Sequence, residues 1–319
     1  MAVLLVLAPL VAAVLGGLVL FTFRTARRVE KSLPPIGHFV DVPGARLHYV
    51  DRGQGVDILL VHGLGGILNH FTYGVVDLLA TKHRVVAVDR PGSGYSVRAP
   101  GATATLYAQA DALAALIDEL KLNRPVVVGH SMGGAIALAL AQRHPERVAG
   151  LALVAPLTQS IDVPPMFKAL IIRTPWLRTF MAWTLATPMG LIKGQDMLRQ
   201  VFGPEQAPHD LPTRGGGLLT LRPSHFIATS ADTVAAPEDM PSVIRQYESM
   251  RLPVSILFGR SDALLDPNLH GTVLVAKLPN AKLTLIDGGH MLPITCPERT
   301  AQFISEAAAN GLEISKVKA

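Results

Sequence analysis

Residues 126–134 read VVVGHSMGG, and the run AIALAL follows directly at residues 135–140. Three consecutive valines are typical of a strand buried on both faces, and the alanine- and leucine-rich run after them favours a helix. Ser131 therefore lies at a sharp turn between a strand and a helix. The small residues Gly129 and Gly133 allow the two elements to approach closely, so that the hydroxyl stands exposed. This context predicts that Ser131 is a nucleophile, although the same spacing also occurs in glycine turns with a solvated serine.

Short apolar runs like the one before Ser131 recur along the chain and indicate a mostly parallel sheet. They are continuous rather than alternating, as strands buried on both faces require. Apolar residues at spacings of three and four in residues 106–120 predict a helix packed on this sheet. Nearer the N-terminus, residues 38–42 and 46–51 flank a Pro-Gly pair and predict a hairpin. The apolar runs are 58–61, 85–88, 126–128, 151–155, 254–258 and 283–286.

The alternation of strands and helices breaks once, between the run that ends at Ala155 and the run that begins at Val254. Roughly 95 residues separate these two runs, whereas a crossover between parallel strands needs only about a dozen. The sequence therefore predicts a helical cap over residues 157–250. The cap interrupts a single α/β core made of residues 37–156 and 251–312.

Within the predicted cap, residues 166–193 are strongly apolar and contain both tryptophans of the chain, Trp176 and Trp183. The segment has no Asp or Glu, and its cations, among them Lys168 and Lys193, lie between large apolar residues. This composition is typical of a helix at the surface of an anionic membrane. The alternative is a cap whose apolar face simply covers the site beneath it.

Residues 1–23 carry no charged side chain. As a helix this run would be about 34 Å long, enough to cross a hydrocarbon layer of about 30 Å. Four cations follow it between residues 24 and 31 and none precedes it, which predicts that the remainder of the chain is cytoplasmic. A cleaved signal peptide is the alternative, but that class has a basic N-terminal region and a shorter apolar core. We predict a retained transmembrane anchor over residues 1–23, a basic, proline-containing linker over 24–36 and a C-terminal tail over 313–319.

The net charge of +5 does not indicate a nucleic-acid partner. Residues 24–31 hold four of the cations against one anion, Glu30, so much of the basicity lies beside the predicted anchor rather than on a nucleic-acid-binding surface. The single cysteine, Cys296, excludes an internal disulfide and is typical of the cytoplasm. No His-x-x-x-His pair and no second cysteine are present, so the sequence predicts no metal site.

Two segments near the C-terminus supply a candidate base and a candidate acid for Ser131. The last apolar run ends in Asp-Gly-Gly-His-Met, which places His290 in a flexible loop at the end of a strand. The preceding run ends in Gly-Arg-Ser-Asp, which places Asp262 after a strand, with Asp266 four residues later. Because a serine hydroxyl needs a base and the base needs an orienting acid, we predict these roles for His290 and Asp262. Asp266 is the alternative acid, although it better fits the cap of the next helix.

Residues 62–66, which read HGLGG, follow the first buried strand. Glycines in such a loop allow backbone N–H groups to point into a pocket, and a tetrahedral oxyanion needs preorganised donors of this kind. We predict the amides of Leu64 and Met132 as these donors, and His62 as a residue that organises the loop. The turn at residues 89–96 lacks the lysine of a phosphate-binding loop and is interpreted as structural.

The motifs together resemble those of the α/β-hydrolase superfamily, in the same order, over about residues 37–312. The resemblance implies an eight-stranded, mostly parallel sheet with an antiparallel start and a helical cap after the sixth strand. It also implies a catalytic triad of Ser131, Asp262 and His290, and no cofactor. Below the superfamily, the chain resembles capped lipases and esterases, and its anchor resembles that of monoacylglycerol-lipase-like hydrolases. The matching motifs are 62–65, 89–94, 129–133, Asp262 and His290.

The serine at position 131 narrows the reaction that the resemblance implies. Haloalkane dehalogenases and epoxide hydrolases of the superfamily have an aspartate there, which is alkylated at carbon, whereas a serine is acylated. The resemblance therefore favours hydrolysis of a carboxylic ester, with a small-molecule ester or a lipid as substrate. Cofactor-free perhydrolases and carbon–carbon bond hydrolases keep the serine, and hydrolase-like receptors use the same pocket for binding, so these remain alternatives.

Overall fold

A sheet of nine strands organises the computed structural model, which describes residues 2–317 and the side chains of residues 7–310. The strands are β1 His38–Val42, β2 Ala45–Arg52, β3 Val56–Val61, β4 His83–Val88, β5 Val97–Arg98, β6 Val126–His130, β7 Gly150–Val154, β8 Val254–Gly259 and β9 Ala281–Ile286. Their order in the sheet is β1-β2-β4-β3-β6-β7-β8-β9, with β5 paired to β2. The pairs β1–β2, β2–β4 and β2–β5 are antiparallel, and the other pairs are parallel.

The eight-stranded, mostly parallel sheet expected from the sequence is confirmed. The additional strand, β5, is two residues long and pairs with Ala45 and Arg46 at one end of β2. It extends the antiparallel start of the sheet and leaves the parallel part, from β4 to β9, as expected.

Helices cover both faces of the sheet. Among the described residues, the α-helices of the core and the cap are α1 Ala2–Ser32, α2 Asn69–Thr72, α3 Val75–Leu79, α4 Leu106–Glu119, α5 Met132–Arg143, α6 Pro175–Met181, α7 Thr187–Phe202, α8 Pro223–Arg245, α9 Val273–Lys277, α10 Leu292–Thr295 and α11 Pro297–Val317. The core on one face includes residues of α4, α5, α8 and α9, and the core on the other includes residues of α2, α3 and α11. In β3, Leu59 and Val61 belong to the first core, and Ile58 and Leu60 to the second. Because alternate residues are buried on opposite faces, the strand is apolar throughout.

The chain between β7 and β8 forms a helical cap, which confirms the cap expected after the sixth principal strand. It contains α6, α7 and the first part of α8, with a π-helical turn at Ala182–Ala186 that joins α6 to α7. The later part of α8 returns to the sheet, since Met240 and Val243 belong to the same core as α5. α8 therefore connects the cap directly to the core.

The N-terminal helix α1 extends well beyond the predicted anchor. It continues without a break to Ser32, so most of the segment predicted as a linker, residues 24–36, is helical. A short stretch at residues 33–37 joins α1 to β1. The part of α1 from Leu7 to Ser32 is long and apolar enough to cross a membrane.

One face of α1 packs against the cap. Thr22, Ala26 and Val29 are buried at spacings of four and three, and α1 contacts the π-helical turn, α7 and a 3-10 turn at Gly217–Leu221. Val29 belongs to a small apolar cluster with Leu219 of that 3-10 turn. The C-terminal half of α1 is therefore part of the folded domain.

Candidate active site

Ser131 occupies the turn between β6 and α5 in a backbone conformation that is unfavourable for a residue with a side chain. Its φ is 54° and its ψ is −123°. Strain of this kind persists where the surrounding structure enforces it. A Cβ atom at Gly129 would lie 2.4 Å from the carbonyl oxygen of Gly133, and one at Gly133 would lie 2.2 Å from that of Val61. Both glycines are therefore required for the close approach of strand and helix that presents the hydroxyl.

His290 and Asp262 are joined by a buried hydrogen bond. The distance from His290 Nδ1 to Asp262 Oδ2 is 2.7 Å, and the two residues are 4% and 8% exposed. The other carboxylate oxygen accepts hydrogen bonds from the amides of Leu264 at 2.9 Å and Leu265 at 3.0 Å. The carboxylate is thus fixed on one side by the backbone and aimed at the imidazole on the other. A proton held on Nδ1 by this carboxylate leaves Nε2 as the basic nitrogen.

Asp266, the alternative acid, does not reach the imidazole. Its Oδ1 accepts a hydrogen bond of 2.9 Å from the amide of Asn268, at the start of the next helical turn. This is the capping contact that its position before Pro267 favours. The geometry therefore pairs His290 with Asp262.

The loop of His290 is held next to the strand that carries Ser131. The carbonyl oxygen of His290 lies 3.0 Å from Nε2 of His130, and the centroids of the two imidazole rings are 5.0 Å apart. Within the described residues, no hydrogen bond joins Ser131 Oγ to His290. In sites without substrate this contact is frequently long, and it tightens when substrate binds. Burial and the neighbouring His290 hold the pKa of His130 well below its ordinary value, which keeps His130 uncharged.

The two predicted oxyanion donors flank Ser131. Met132 is the first residue of α5, so its amide has no acceptor within the helix. Gly63, which precedes Leu64, is so close to the serine that a Cβ atom at Gly63 would lie 2.8 Å from Ser131 Cβ. Neither Leu64 nor Met132 donates a backbone hydrogen bond to any other described residue. Both amides are therefore free to bind an oxyanion.

The direction of the Leu64 amide is fixed through the carbonyl of Gly63, which belongs to the same peptide bond. That oxygen accepts three hydrogen bonds, from His62 Nδ1 at 2.9 Å, Arg90 Nη2 at 2.9 Å and the amide of Gly66 at 3.1 Å. In a planar trans peptide the N–H points opposite to the C=O. Holding the Gly63 oxygen therefore aims the N–H of Leu64, and a cationic donor on that oxygen polarises the peptide further.

His62 has the contacts of a neutral residue that organises the loop. Its Nε2 accepts a hydrogen bond of 3.0 Å from the amide of Arg90, so the proton lies on Nδ1, which donates to Gly63. Burial, and to a lesser extent the charge of Arg90, hold the pKa of His62 well below its ordinary value. These contacts fit the interpretation of His62 from the sequence.

A buried charge network behind this loop was not found by sequence analysis. Arg90 is fully buried, and its Nε also donates to the carbonyl of His62 at 3.0 Å. Its Nη1 lies 2.8 Å from Oδ2 of Asp232, a fully buried carboxylate on α8. The other oxygen of Asp232 is 2.7 Å from Arg98 Nη2. A fourth member, Gln109, accepts from Arg90 through Oε1. No local pattern marks Asp232, because its partners are more than 120 residues away along the chain.

Two further histidines lie beside the glycine loop and were also missed. A Cβ atom at Gly65 would lie 3.8 Å from His225 Nε2, and one at Gly66 would lie 3.2 Å from His70 Nδ1. Burial lowers the pKa of His225 to about 3, and its Nδ1 has no hydrogen-bond partner among the described residues. The loop is therefore bordered by uncharged groups that can form hydrogen bonds.

Comparison with known proteins identifies the family. Residues 58–297 match the family model of the alpha/beta hydrolase fold. The chain belongs to the α/β-hydrolase family. An uncharacterised protein of Mycobacterium tuberculosis strain H37Rv is 30% identical to this α/β hydrolase over 277 residues, which are 85% of this chain and 80% of that protein.

Two further proteins similar to this α/β hydrolase are a depolymerase and an esterase. A poly(3-hydroxyalkanoate) depolymerase of Ectopseudomonas oleovorans is 27% identical over 257 residues, which are 77% of this chain and 82% of that protein. A thermophilic esterase from Thermogutta terrifontis has a structure that matches with a TM-score of 0.68 and 25% identity, over 86% of this chain and 99% of that one. The superfamily resemblance noted in the sequence is thus confirmed, and these neighbours support a hydrolase.

Proposed function

We propose that this protein is a membrane-anchored serine hydrolase that cleaves carboxylic esters through an acyl-serine intermediate. The observation that carries the proposal is the 2.7 Å hydrogen bond between His290 and Asp262, beside a serine held in a strained turn. An imidazole oriented by a carboxylate is the arrangement that activates a serine hydroxyl. The likeness to a thermophilic esterase supports an ester as the substrate.

The proposed reaction has two halves. Ser131 Oγ attacks the ester carbonyl while His290 Nε2 takes its proton, and the resulting oxyanion is stabilised by the amides of Leu64 and Met132. Collapse of this intermediate breaks the bond to the alcohol, which leaves with the proton from His290. A water molecule, deprotonated by His290, then attacks the acyl-serine, and the carboxylic acid leaves as Ser131 regains its proton. Asp262 stabilises the imidazolium formed in each half.

The packing of α1 supports an anchor that is retained. Cleavage near residue 24 would remove Thr22 from its buried position and divide a helix whose remaining turns, with Ala26 and Val29, pack against the cap. Arg222 of the cap also pairs with Glu30 of α1 at 3.0 Å. The cations that follow the apolar segment support a cytoplasmic position for the catalytic domain. An anchored enzyme of this kind meets apolar acyl esters or lipids at the membrane.

The nucleophile is tested with a fluorophosphonate probe on the full chain in detergent. Wild type is expected to be labelled at Ser131, and Ser131→Ala is expected to lose labelling and to hydrolyse p-nitrophenyl esters at least about 10⁴-fold more slowly. Ser261→Ala is the matched control, since this exposed serine is adjacent to Asp262 and is expected to keep both properties. Labelling of another residue, or full activity of Ser131→Ala, would overturn the mechanism. Binding of acyl compounds without any turnover would favour the receptor alternative.

A further inference from the structure

The cap exposes a row of large apolar side chains on one surface. Trp176 and Ile192 are 71% and 70% exposed, and the intervening α6, π-helical turn and α7 expose several more. Ala182, Thr184 and Thr187 of the same segment are buried and form its inner face. The apolar residues expected from the sequence to cover the site are thus largely on the outside. The membrane stripe, as we call this surface, consists of Trp176, Leu177, Phe180, Leu185, Met189, Leu191 and Ile192.

The spacing within the membrane stripe matches the local helix geometry. From Trp176 to Phe180 and from Leu185 to Met189 the step is four residues, as on one face of an α-helix. From Phe180 to Leu185 the step is five, and this step crosses the π-helical turn, whose hydrogen bonds join residues five apart. The extra residue of that turn keeps Trp176, Phe180, Leu185 and Met189 in register across two helices.

The position of α1 places this surface at the depth of a bilayer. The face of α1 that turns toward the domain begins at Leu15 and Leu18, which are half-buried, and continues through Thr22. These residues lie inside the predicted span, which ends at Phe23, and the nine residues from Leu15 to Phe23 extend over about 12 Å. α1 contacts the π-helical turn and α7, which carry four of the seven residues of the stripe. If α1 crosses the membrane, the neighbouring cap must therefore enter the same layer. Helices that lie at a membrane surface are buried by about 5–10 Å, a comparable depth.

The charges around the stripe fit an anionic lipid surface. Lys168, Arg173 and Lys193 are exposed at its borders, and the segment from 166 to 193 contains no acidic residue. The cations of α1 follow the predicted span directly, and Arg27, which lies 4.0 Å from Glu30, has a side chain that is 71% exposed. Cations flanking an apolar surface bind anionic headgroups while the apolar residues contact acyl chains.

We propose that the membrane stripe rests in the acyl-chain boundary of the anionic bilayer that holds α1, so that the cap is a second membrane contact of the enzyme. This inference rests on the proposed anchor and deepens the proposed function, because a cap immersed in the bilayer gives acyl esters a route from the lipid phase to the site. Lipid is the proposed partner of this exposed apolar surface, and contact with a second copy of the chain is an outcome that the test below distinguishes.

The test uses the two tryptophans as depth probes in the full chain. The protein is reconstituted into phosphatidylcholine–phosphatidylglycerol vesicles, with or without brominated acyl chains that quench tryptophan on contact. In Trp183→Phe, the single remaining Trp176 is expected to lose roughly half or more of its fluorescence in brominated lipid, because interfacial side chains reach the acyl-chain boundary. Aqueous iodide is expected to quench it little. The measurement is repeated in Ser131→Ala, where the result is expected to be the same because quenching requires no turnover.

Two outcomes would overturn the proposal. Quenching of Trp176 by iodide but not by brominated lipid would mean that the stripe faces water. Quenching by neither iodide nor brominated lipid would mean that protein covers the stripe. Crosslinking would then show whether the covering protein is a second copy of the chain. A loss of ester hydrolysis in every assay together with strong lipid quenching would reject the proposed function and leave the membrane contact standing.

A second measurement guards against variants that misfold. Two rates are compared: hydrolysis of a long-chain ester in vesicles and hydrolysis of a short soluble ester in detergent. In the double variant Trp176→Ser/Ile192→Ser, the ratio of the first rate to the second is expected to fall by about tenfold. The matched control is Leu78→Ser, since Leu78 is 43% exposed on α3, a helix that packs against α11 on the other face of the sheet. An unchanged ratio in the double variant would count against a lipid role for the stripe.

Discussion

The carboxylate of Asp232 lies 2.8 Å from the guanidinium of Arg90, and neither side chain is exposed to solvent. Asp232 is on α8, the helix that links the cap to the core, whereas Arg90 holds the carbonyls of His62 and Gly63. The Arg90–Asp232 ion pair therefore connects the cap to the peptide plane that aims the amide of Leu64. Correct packing of the cap and correct orientation of that amide depend on the same contact.

Asp232→Asn tests this connection. Removing one charge of a buried pair leaves the other uncompensated, so the free energy of unfolding is expected to fall by about 3 kcal/mol. Because Arg90 then holds the Gly63 carbonyl less firmly, kcat is expected to fall while KM changes little. Denaturant unfolding and steady-state ester kinetics in detergent measure the two effects. Asp111→Asn is the control, since Arg143 and Asp111 of that pair are 46% and 42% exposed and such pairs contribute about 1 kcal/mol or less.

Asp262→Asn and Asp266→Asn separate the two candidate acids. An amide at position 262 favours the wrong tautomer of His290, so kcat is expected to fall by about 10⁴-fold with the fold retained. Asp266 caps the turn at Asn268, and its replacement by Asn, which also caps well, is expected to cost little. Rate measurements on a short ester decide between them. A larger loss in Asp266→Asn would contradict the geometry of the site.

Stability is expected to fall as the pH is lowered from 6.5 toward 4. Burial lowers the pKa of His270 to about 4 despite nearby Asp262 and Asp266, and that of His225 to about 3. The unfolded chain, with ordinary histidine pKa values of about 6.5, then binds protons that the folded chain excludes. Each such histidine makes the free energy of unfolding fall by up to about 1.4 kcal/mol for each pH unit below 6.5. Above that pH both states hold the histidine neutral, and it adds no slope.

His270→Gln tests that pH dependence. Gln can accept the hydrogen bond that the amide of Thr158 donates to His270 at 3.1 Å, but it does not titrate. The dependence of unfolding free energy on pH between 6 and 5 is therefore expected to be shallower in this variant. His38→Gln, at an exposed position on β1, should leave the slope unchanged. Equal slopes in wild type and His270→Gln would show that His270 titrates normally in the fold.

The proposed anchor is tested by the behaviour of the full chain in cell fractions. A helix of this length and apolarity is expected to remain in the membrane pellet after carbonate washing, with its N-terminus intact by mass spectrometry. Protease added to the outside of intact cells or spheroplasts is expected to leave the catalytic domain uncut, since the cations after the span favour a cytoplasmic domain. Soluble or secreted protein that begins near residue 24 would instead identify a signal peptide.

Much of the fold could be predicted from the sequence because its signals are local. Continuous apolar runs identify strands buried on both faces, and residues 126–140 specify a strand, a tight turn at Ser131 and a helix within fifteen positions. Each of these features depends on the backbone preferences and periodicity of neighbouring residues. The helical cap was also predictable, because an interval too long for a crossover must fold into additional structure.

The tertiary structure decided which of these elements meet. The sequence favours Asp262 over Asp266 as the acid, but only the fold brings one carboxylate, that of Asp262, within 2.7 Å of His290. The pairing of Arg90 with Asp232 spans 142 positions, so no local pattern records it. The exposure of Trp176 likewise depends on which face of its helix the rest of the protein covers. Local propensity determines where helices and strands form, whereas ion pairs and exposed faces follow from long-range packing, in which distant residues satisfy or leave uncovered each side chain.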